Sequence, residues 1–197
     1  MRILMLIDSL DIGGAETHVE ILCRELVNLG HKIVIASAGG VICERLKKCG
    51  IRCISLPKIT KANKISCNFN FVCHFLALAP LISRAIERTK PDIVHAHTRR
   101  TAFFAQNPCK KHNIPLVVTA HAKFDMKFPK NVLSKWGQRT IAVSKDIKDH
   151  LAEHGVPQNT IKVIANGVIL PGNVLYSTEN TIKEEKYSAK NSFCQPT

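Results

Sequence analysis

The first thirty residues constrain this chain more than any other part of it. Arg2-Ile-Leu-Met-Leu-Ile7 is an apolar, branched run, the pattern of a strand buried on both faces. A short loop follows and closes on Gly13-Gly14. Beyond it Ala15, Val19, Leu22, Leu26 and Leu29 recur at steps of three and four, an apolar stripe that predicts a helix packed on a sheet. Gly30 stands where a left-handed helix cap is wanted. A strand, a glycine turn and a helix N-terminus make a ready anion site, because unpaired N–H groups and the positive helix end face the loop. Two adjacent glycines also let a ligand approach the backbone with no β-carbon in the way. A plain tight turn accounts for the pair equally well at this point.

The rest of the chain repeats the pattern. Strands are predicted at 31–36, 51–56, 92–97, 115–120, 139–143 and 161–165. Helices are predicted at 41–49, from about 69 to 90, 98–112 and 144–154. Pro80 is expected to break or restart the third helix, Pro108 to disturb the fourth, and a short helix to surround Trp136. Strands alternating with helices specify an α/β fold, a single Rossmann-like domain with a doubly wound parallel sheet of about seven strands. From Leu170 the chain turns polar and lysine-rich, so residues 169–197 read as a tail or an interdomain linker. With strand order 3-2-1-4-5 the topological switch lies between strands one and four. Ligands in such sheets sit beyond the C-terminal strand ends at that switch. This sets Gly13-Gly14 opposite His95, His97 and Arg99, with His121 one strand further on.

The 197 residues carry a formal net charge of +13, unevenly placed. Residues 1–30 are acidic, whereas 41–67 hold seven basic residues against Glu44 alone and 99–139 hold nine against Asp125 alone. Such a balance attracts anionic partners: nucleic acid, an anionic membrane surface or phosphorylated ligands. The eight cysteines form no C-x-x-C pair and no zinc spacing, and the N-terminal run merges into a strand instead of forming a signal peptide. Both point to a cytoplasmic setting. The longest apolar stretch, 69–82, is too short to span a bilayer.

Several function classes fall away on their motifs. There is no G-x-G-x-x-G, no acid ending the second strand, no Walker lysine loop and no G-x-S-x-G elbow. His95 and His97 share a strand face, and His121 offers a third imidazole for a metal. No carboxylates accompany them, and a polar pair near a strand end explains them as well, so no metal is expected. Thr98-Arg99-Arg100 opens a helix, where positive charge is unfavourable without an anion nearby. Phe124, Phe128 and Trp136 interleave with Lys123, Lys127, Lys130, Lys135 and Arg139. That mixture suits a single-stranded nucleic-acid platform, a membrane-surface patch or ordinary core. Trp136 reads as core, and Phe124 and Phe128 as the more exposed pair.

Five segments in register resemble the N-terminal domain of family 4 glycosyltransferases, retaining enzymes of the GT-B fold. They are Ile12-Gly-Gly-Ala-Glu-Thr-His18, Pro91-Asp-Ile-Val-His-Ala-His-Thr-Arg-Arg100, Pro115-Leu-Val-Val-Thr-Ala-His121, Ile141-Ala-Val-Ser144 and Val163-Ile-Ala-Asn-Gly-Val168. The resemblance covers 1–168. It implies a nucleotide-sugar donor and transfer of a hexosyl-type sugar, with retention, to a lipid-linked or cell-envelope glycan, as in lipopolysaccharide biosynthesis. It assigns Gly13 and Gly14 to the donor diphosphate and His121 to the transferred sugar as the catalytic residue. His97, Arg99 and Arg100 fall in the acceptor-facing region. It implies neither a cofactor nor a metal, and under this reading no nucleic acid is expected as a partner. The family's second domain supplies an Arg/Lys pair, two glutamates and the nucleotide-base pocket, and no residue here matches them. The chain therefore reads as the acceptor-side half, a truncated form. Three alternatives remain at this point: one subunit of a split transferase partnered by a donor-domain polypeptide, a non-catalytic binding or regulatory module, or nucleic-acid binding driven by the charge of +13.

Overall fold

The computed structural model describes residues 1–57, 67–124, 136–170 and 174–176, with 67–76, 168–170 and 174–176 as backbone only. The chain runs β1 (Arg2–Leu6), α1 (Gly14–Asn28), β2 (Lys32–Ser37), α2 (Val41–Lys48), β3 (Arg52–Ser55), α3 (Cys67–Thr89), β4 (Ile93–Ala96), α4 (Arg99–Lys111), β5 (Leu116–Ala120), β6 (Arg139–Ala142), α5 (Lys145–Glu153) and, after a short 3-10 turn, β7 (Ile161–Val163). The seven strands form one sheet in the order β3-β2-β1-β4-β5-β6-β7. Every pairing in it is parallel. The doubly wound α/β domain expected from the alternation is the fold found.

The central strand shows why the sheet is covered on both sides. Side chains alternate across a strand, and here Leu4 and Leu6 enter one core while Ile3, Met5 and Ile7 enter the other. The first core is built with α3, α4 and α5, the second with α1 and α2. Helix α1 is also tied down electrostatically. Its buried Glu20 binds Arg24 at 2.8 Å and reaches Arg45 of α2 at 2.5 Å. Breaking such a half-buried network by removing the acid leaves two guanidinium groups without their anion.

The caps follow the sequence. Gly30 adopts φ 82° after α1, the left-handed conformation that glycine takes without a β-carbon penalty. Thr98 Oγ1 accepts from Thr101 N at the start of α4, and Ser144 Oγ from Ile147 N at the start of α5.

Four expectations need correction. Pro80 does not break the third helix: α3 is continuous from Cys67 to Thr89. Leu78, Ile82, Ala85 and Ile86 are buried on one stripe that spans Pro80, which is exposed on the opposite face, so packing holds the helix across the missing N–H. Helix α4 likewise runs through Pro108, itself buried, to Lys111. The segment assigned to a polar tail holds a short antiparallel pair, β8 (Val168–Leu170) and β9 (Val174–Tyr176). Trp136 is core as expected, but it is not itself helical. The flanking residues 125–135, with Lys127, Phe128, Lys130 and Lys135, lie outside the described residues, as does 177–197. No described helix is long and apolar enough to cross a membrane.

Candidate functional site

The site forms where the sheet changes winding direction. Parallel register sets Met5 beside His95 and Leu6 beside Ala96, and then His95 beside Val117. Strand β4 continues one residue further, His97 N donating to Leu6 O at 2.8 Å. His97 and His121 thus stand just past the C-terminal ends of adjacent strands. Their Nδ1 and Nε2 atoms are 3.3 Å apart and share one hydrogen bond. His95, two residues before His97 on the same face, lies under it with ring centroids 4.1 Å apart. Its Nε2 pairs with Thr119 Oγ1 at 2.7 Å, inside the sheet.

A fourth imidazole completes the group. His18, on the second turn of α1, brings its ring centroid to 5.1 Å from that of His121 and 5.9 Å from that of His97. Sequence reasoning quoted this histidine within a motif and gave it no role. Its spacing from the glycine loop was the available signal, because one helical turn past the N-terminus returns a side chain to the loop's side.

Burial sets the charge state of this group. His95 is pushed down to about 3 and His121 to about 4; His97 lies well below the ordinary value and His18 below it. Desolvation is the largest cause for each, and repulsion from neighbouring imidazolium forms adds for His95, His97 and His121. At neutral pH the crevice therefore presents uncharged imidazoles, hydrogen-bonding groups and not a positive charge. Two of their nitrogens, His97 Nε2 and His121 Nδ1, are buried without a hydrogen-bond partner among the described residues. Such atoms are costly unless something polar fills the space.

The glycine loop answers the question that the sequence left open. Gly13 has φ −175° and ψ 168°, extended backbone that any residue adopts. A β-carbon on Gly14 would meet nothing within 4 Å. Neither glycine is therefore needed for a tight turn; the space beside Gly14 is open, whereas the Glu16 carboxylate lies where a β-carbon on Gly13 would sit. No side chain caps α1, and the first N–H groups of a helix have no partner within it. The second glycine pair is different. Gly40 has φ 137°, and a β-carbon there would collide with the backbone of Leu10 and Asp11, where Ile42 N donates to Leu10 O at 2.9 Å.

The basic residues are engaged more than their sequence suggests. Arg100 binds Asp8, at the end of β1, through Nε at 3.0 Å and a second nitrogen at 2.9 Å. The anion that its helix position calls for is supplied by the chain. Arg99 lies over the Phe124 ring, 5.1 Å from its centroid. Phe124 is not the exposed aromatic expected: it is half-buried, 6.0 Å from Trp136, and its carbonyl accepts from His150 Nε2 at 2.9 Å. Lys123 pairs with Asp146 at 2.7 Å. The structure thus gathers His18, His97 and His121, with the Gly13-Gly14 loop one helical turn before His18. Arg99 and Arg100 stand at the N-terminus of α4 beside them, turned to partners of their own.

The sequence model of Glycosyltransferase Family 4 matches residues 12–170. Among solved structures, the chain is similar to a glycosyltransferase from Rickettsia africae ESF-5, with 26% identity, a TM-score of 0.65, and 85% of this chain and 43% of that one covered. It is similar to HepE of Anabaena, solved with UDP and glucose, at 20% identity and TM-score 0.66, over 85% of this chain and 45% of that one. It is also similar to the lipopolysaccharide outer core galactosyltransferase WaaB, at 16% identity and TM-score 0.62, over 87% and 47%. Among curated proteins, none matches in sequence. The chain spans less than half the length of these solved structures. The fold is the Rossmann-like half of a GT-B glycosyltransferase. The chain belongs to Glycosyltransferase Family 4.

Proposed function

We propose that this chain forms the acceptor-side half of a retaining transferase that moves a hexosyl-type sugar from a nucleotide-sugar to a lipid-linked or cell-envelope glycan. One observation carries the reading. The start of α1, without a side-chain cap and open beside Gly14, lies one helical turn before His18, whose ring is 5.1 Å from that of His121, and His121 Nδ1 has no partner among the described residues. The amides at Gly13 and Gly14 suit the donor diphosphate, whose charge the helix end stabilises. His121, neutral and lacking a partner, suits a hydroxyl of the transferred sugar. His97 holds it from behind, and the α4 start with Arg99 and Arg100 borders the acceptor side. Basic groups and amides hold the leaving diphosphate, so transfer needs no cofactor and no catalytic metal. That HepE was solved with UDP and glucose, and with UDP-glucose, supports the nucleotide-sugar assignment.

The nucleotide base and most of the diphosphate would reach beyond this crevice into a second domain, on this chain's continuation or on a separate polypeptide. The reading places the work on the cytoplasmic face of a membrane, where lipid-linked acceptors are found. The test is to incubate residues 1–197 with a panel of nucleotide-sugars and a polyprenyl-phosphate acceptor, alone and with a family donor domain added or fused. Transfer only in the second case, lost in His121→Ala, is the expected result. Turnover by residues 1–197 alone would contradict the half-site reading, since loss of even one transition-state donor typically costs about a hundredfold or more.

A further inference from the structure

Sugar transfer uses His121 and explains nothing about His18. Yet one donor nitrogen from each of His18, His97 and His121 lies within 4.8 Å of the other two. The three rings come from α1, the end of β4 and the end of β5, so the sheet and its helix hold them in place. His95, considered from the sequence as a ligand with His97 and His121, is committed to Thr119 instead. The separation of His97 Nδ1 and His121 Nε2 is 3.3 Å. Two nitrogens bound to one tetrahedral zinc ion at about 2.0–2.1 Å stand roughly 3.4 Å apart. We propose that His18, His97 and His121 form a binding site for a late first-row divalent cation such as Zn(II), Co(II) or Ni(II).

An all-imidazole set selects these ions over magnesium and calcium, which take oxygen ligands. Three protein ligands leave a fourth position for water. The ion takes a lone pair from each neutral ring, so no proton leaves the protein. The proton now shared by His97 and His121 moves to an outward nitrogen. Those outward atoms, His97 Nε2 and His121 Nδ1, have no partner among the described residues, so no competing bond locks either ring in the wrong tautomer. The same lack of outer partners weakens the site, by about 10–100-fold relative to one that has them. The consequence for activity rests on the proposed function. An ion on His121 Nε2 fixes the proton on Nδ1, the atom assigned to the sugar hydroxyl, so that nitrogen can no longer accept from the sugar and metal and donor oppose each other.

The test uses metal-free residues 1–197 titrated with Co(II), read by its visible ligand-field absorption and displaced by Zn(II). The group of half-buried His150 with exposed Glu153 and His154, at the end of α5, is the competing place for an ion, so variants separate the two. His18 is half-buried on a helix, where alanine is well tolerated, and circular dichroism checks the fold of each variant. Expected is one displaceable Co(II) per chain, bound at least about tenfold more weakly by His18→Ala and unchanged in His154→Ala. No cobalt spectrum, or one lost in His154→Ala and kept in His18→Ala, overturns the site. In a chain carrying a donor domain, a nucleotide-sugar should weaken Co(II) binding beyond the chelation seen with the free nucleotide diphosphate. Site-specific Co(II) binding with no such competition leaves the metal site standing and contradicts the sugar role of His121.

Discussion

At the scale of single residues, the four clustered histidines tie the site to pH. Each has a folded-state pKa below the ordinary value of 6.5. Between those values the unfolded chain binds protons that the folded chain does not, so stability rises with pH across the window. The stability is fully present above about pH 6.5 and is lost as pH falls toward 4, where His121 titrates, and 3, where His95 does. Urea midpoints measured from pH 7.5 to 4.5 should fall steeply on the acid side, and His121→Asn should flatten that fall. An unchanged slope in the variant would mean that the protons go elsewhere. The same residue should act on turnover. In a chain carrying a donor domain, His121→Ala should lower kcat more than donor affinity, the mark of an interaction that strengthens in the transition state. Equal loss from Lys123→Ala, which removes only a surface pair with Asp146, would take His121 out of the mechanism. His97 and His121 were legible in the sequence because a parallel strand's C-terminal end always opens toward the switch point. His18 was not. Which edge of α1 meets the crevice depends on how Val19 and Cys23 seat in the core, and helical periodicity alone leaves that rotation undetermined.

At the scale of elements, the two glycine pairs make opposite predictions. Gly40 has a left-handed φ and backbone atoms where a β-carbon would sit, so Gly40→Ala should destabilise the fold by about 1–3 kcal/mol. Gly14→Val puts a side chain into open space and should leave the urea midpoint near the wild-type value while weakening nucleotide-sugar binding. Calorimetry on the donor-domain form checks the second half. Unchanged donor affinity would reduce the first loop to a connector. From sequence the two pairs look alike, because nothing in a Gly-Gly dipeptide says which loop its neighbour packs against. The prolines misled for a related reason. Local rules give the cost of a lost helical N–H, but they omit the buried stripe of Leu78, Ile82, Ala85 and Ile86 that carries α3 past Pro80. Strand order and helix placement were readable because the apolar alternation of β1, with its two opposed sets of buried side chains, can be satisfied only by layers on both faces.

At the scale of the whole molecule, the net charge of +13 is partly answered from within: Asp8 takes Arg100, Glu20 takes Arg24 and Arg45, Glu44 takes Lys47, and Asp146 takes Lys123. A different face is left basic. Arg52, Arg84 and Arg88 line a cavity of about 320 Å³ between β3 and α3 with no carboxylate in its wall among the described residues. Attraction to anionic bilayers should therefore be weak, at about 1 kcal/mol per well-placed basic residue. Flotation with phosphatidylglycerol vesicles should show binding at low salt and its loss at high salt. Equal binding to neutral vesicles would assign the charge to solvation alone. The central claim is that the α1 start and His121 receive one ligand, a nucleotide-sugar. Isotope-labelled residues 1–197 titrated with a nucleotide-sugar and followed by NMR test it most directly. The account predicts that the amides of Gly14 and Ala15 and the ring of His121 shift together along one binding curve, and that Gly14→Val removes both responses. Shifts confined to the Arg52, Arg84 and Arg88 cavity, with His121 unmoved, would contradict it.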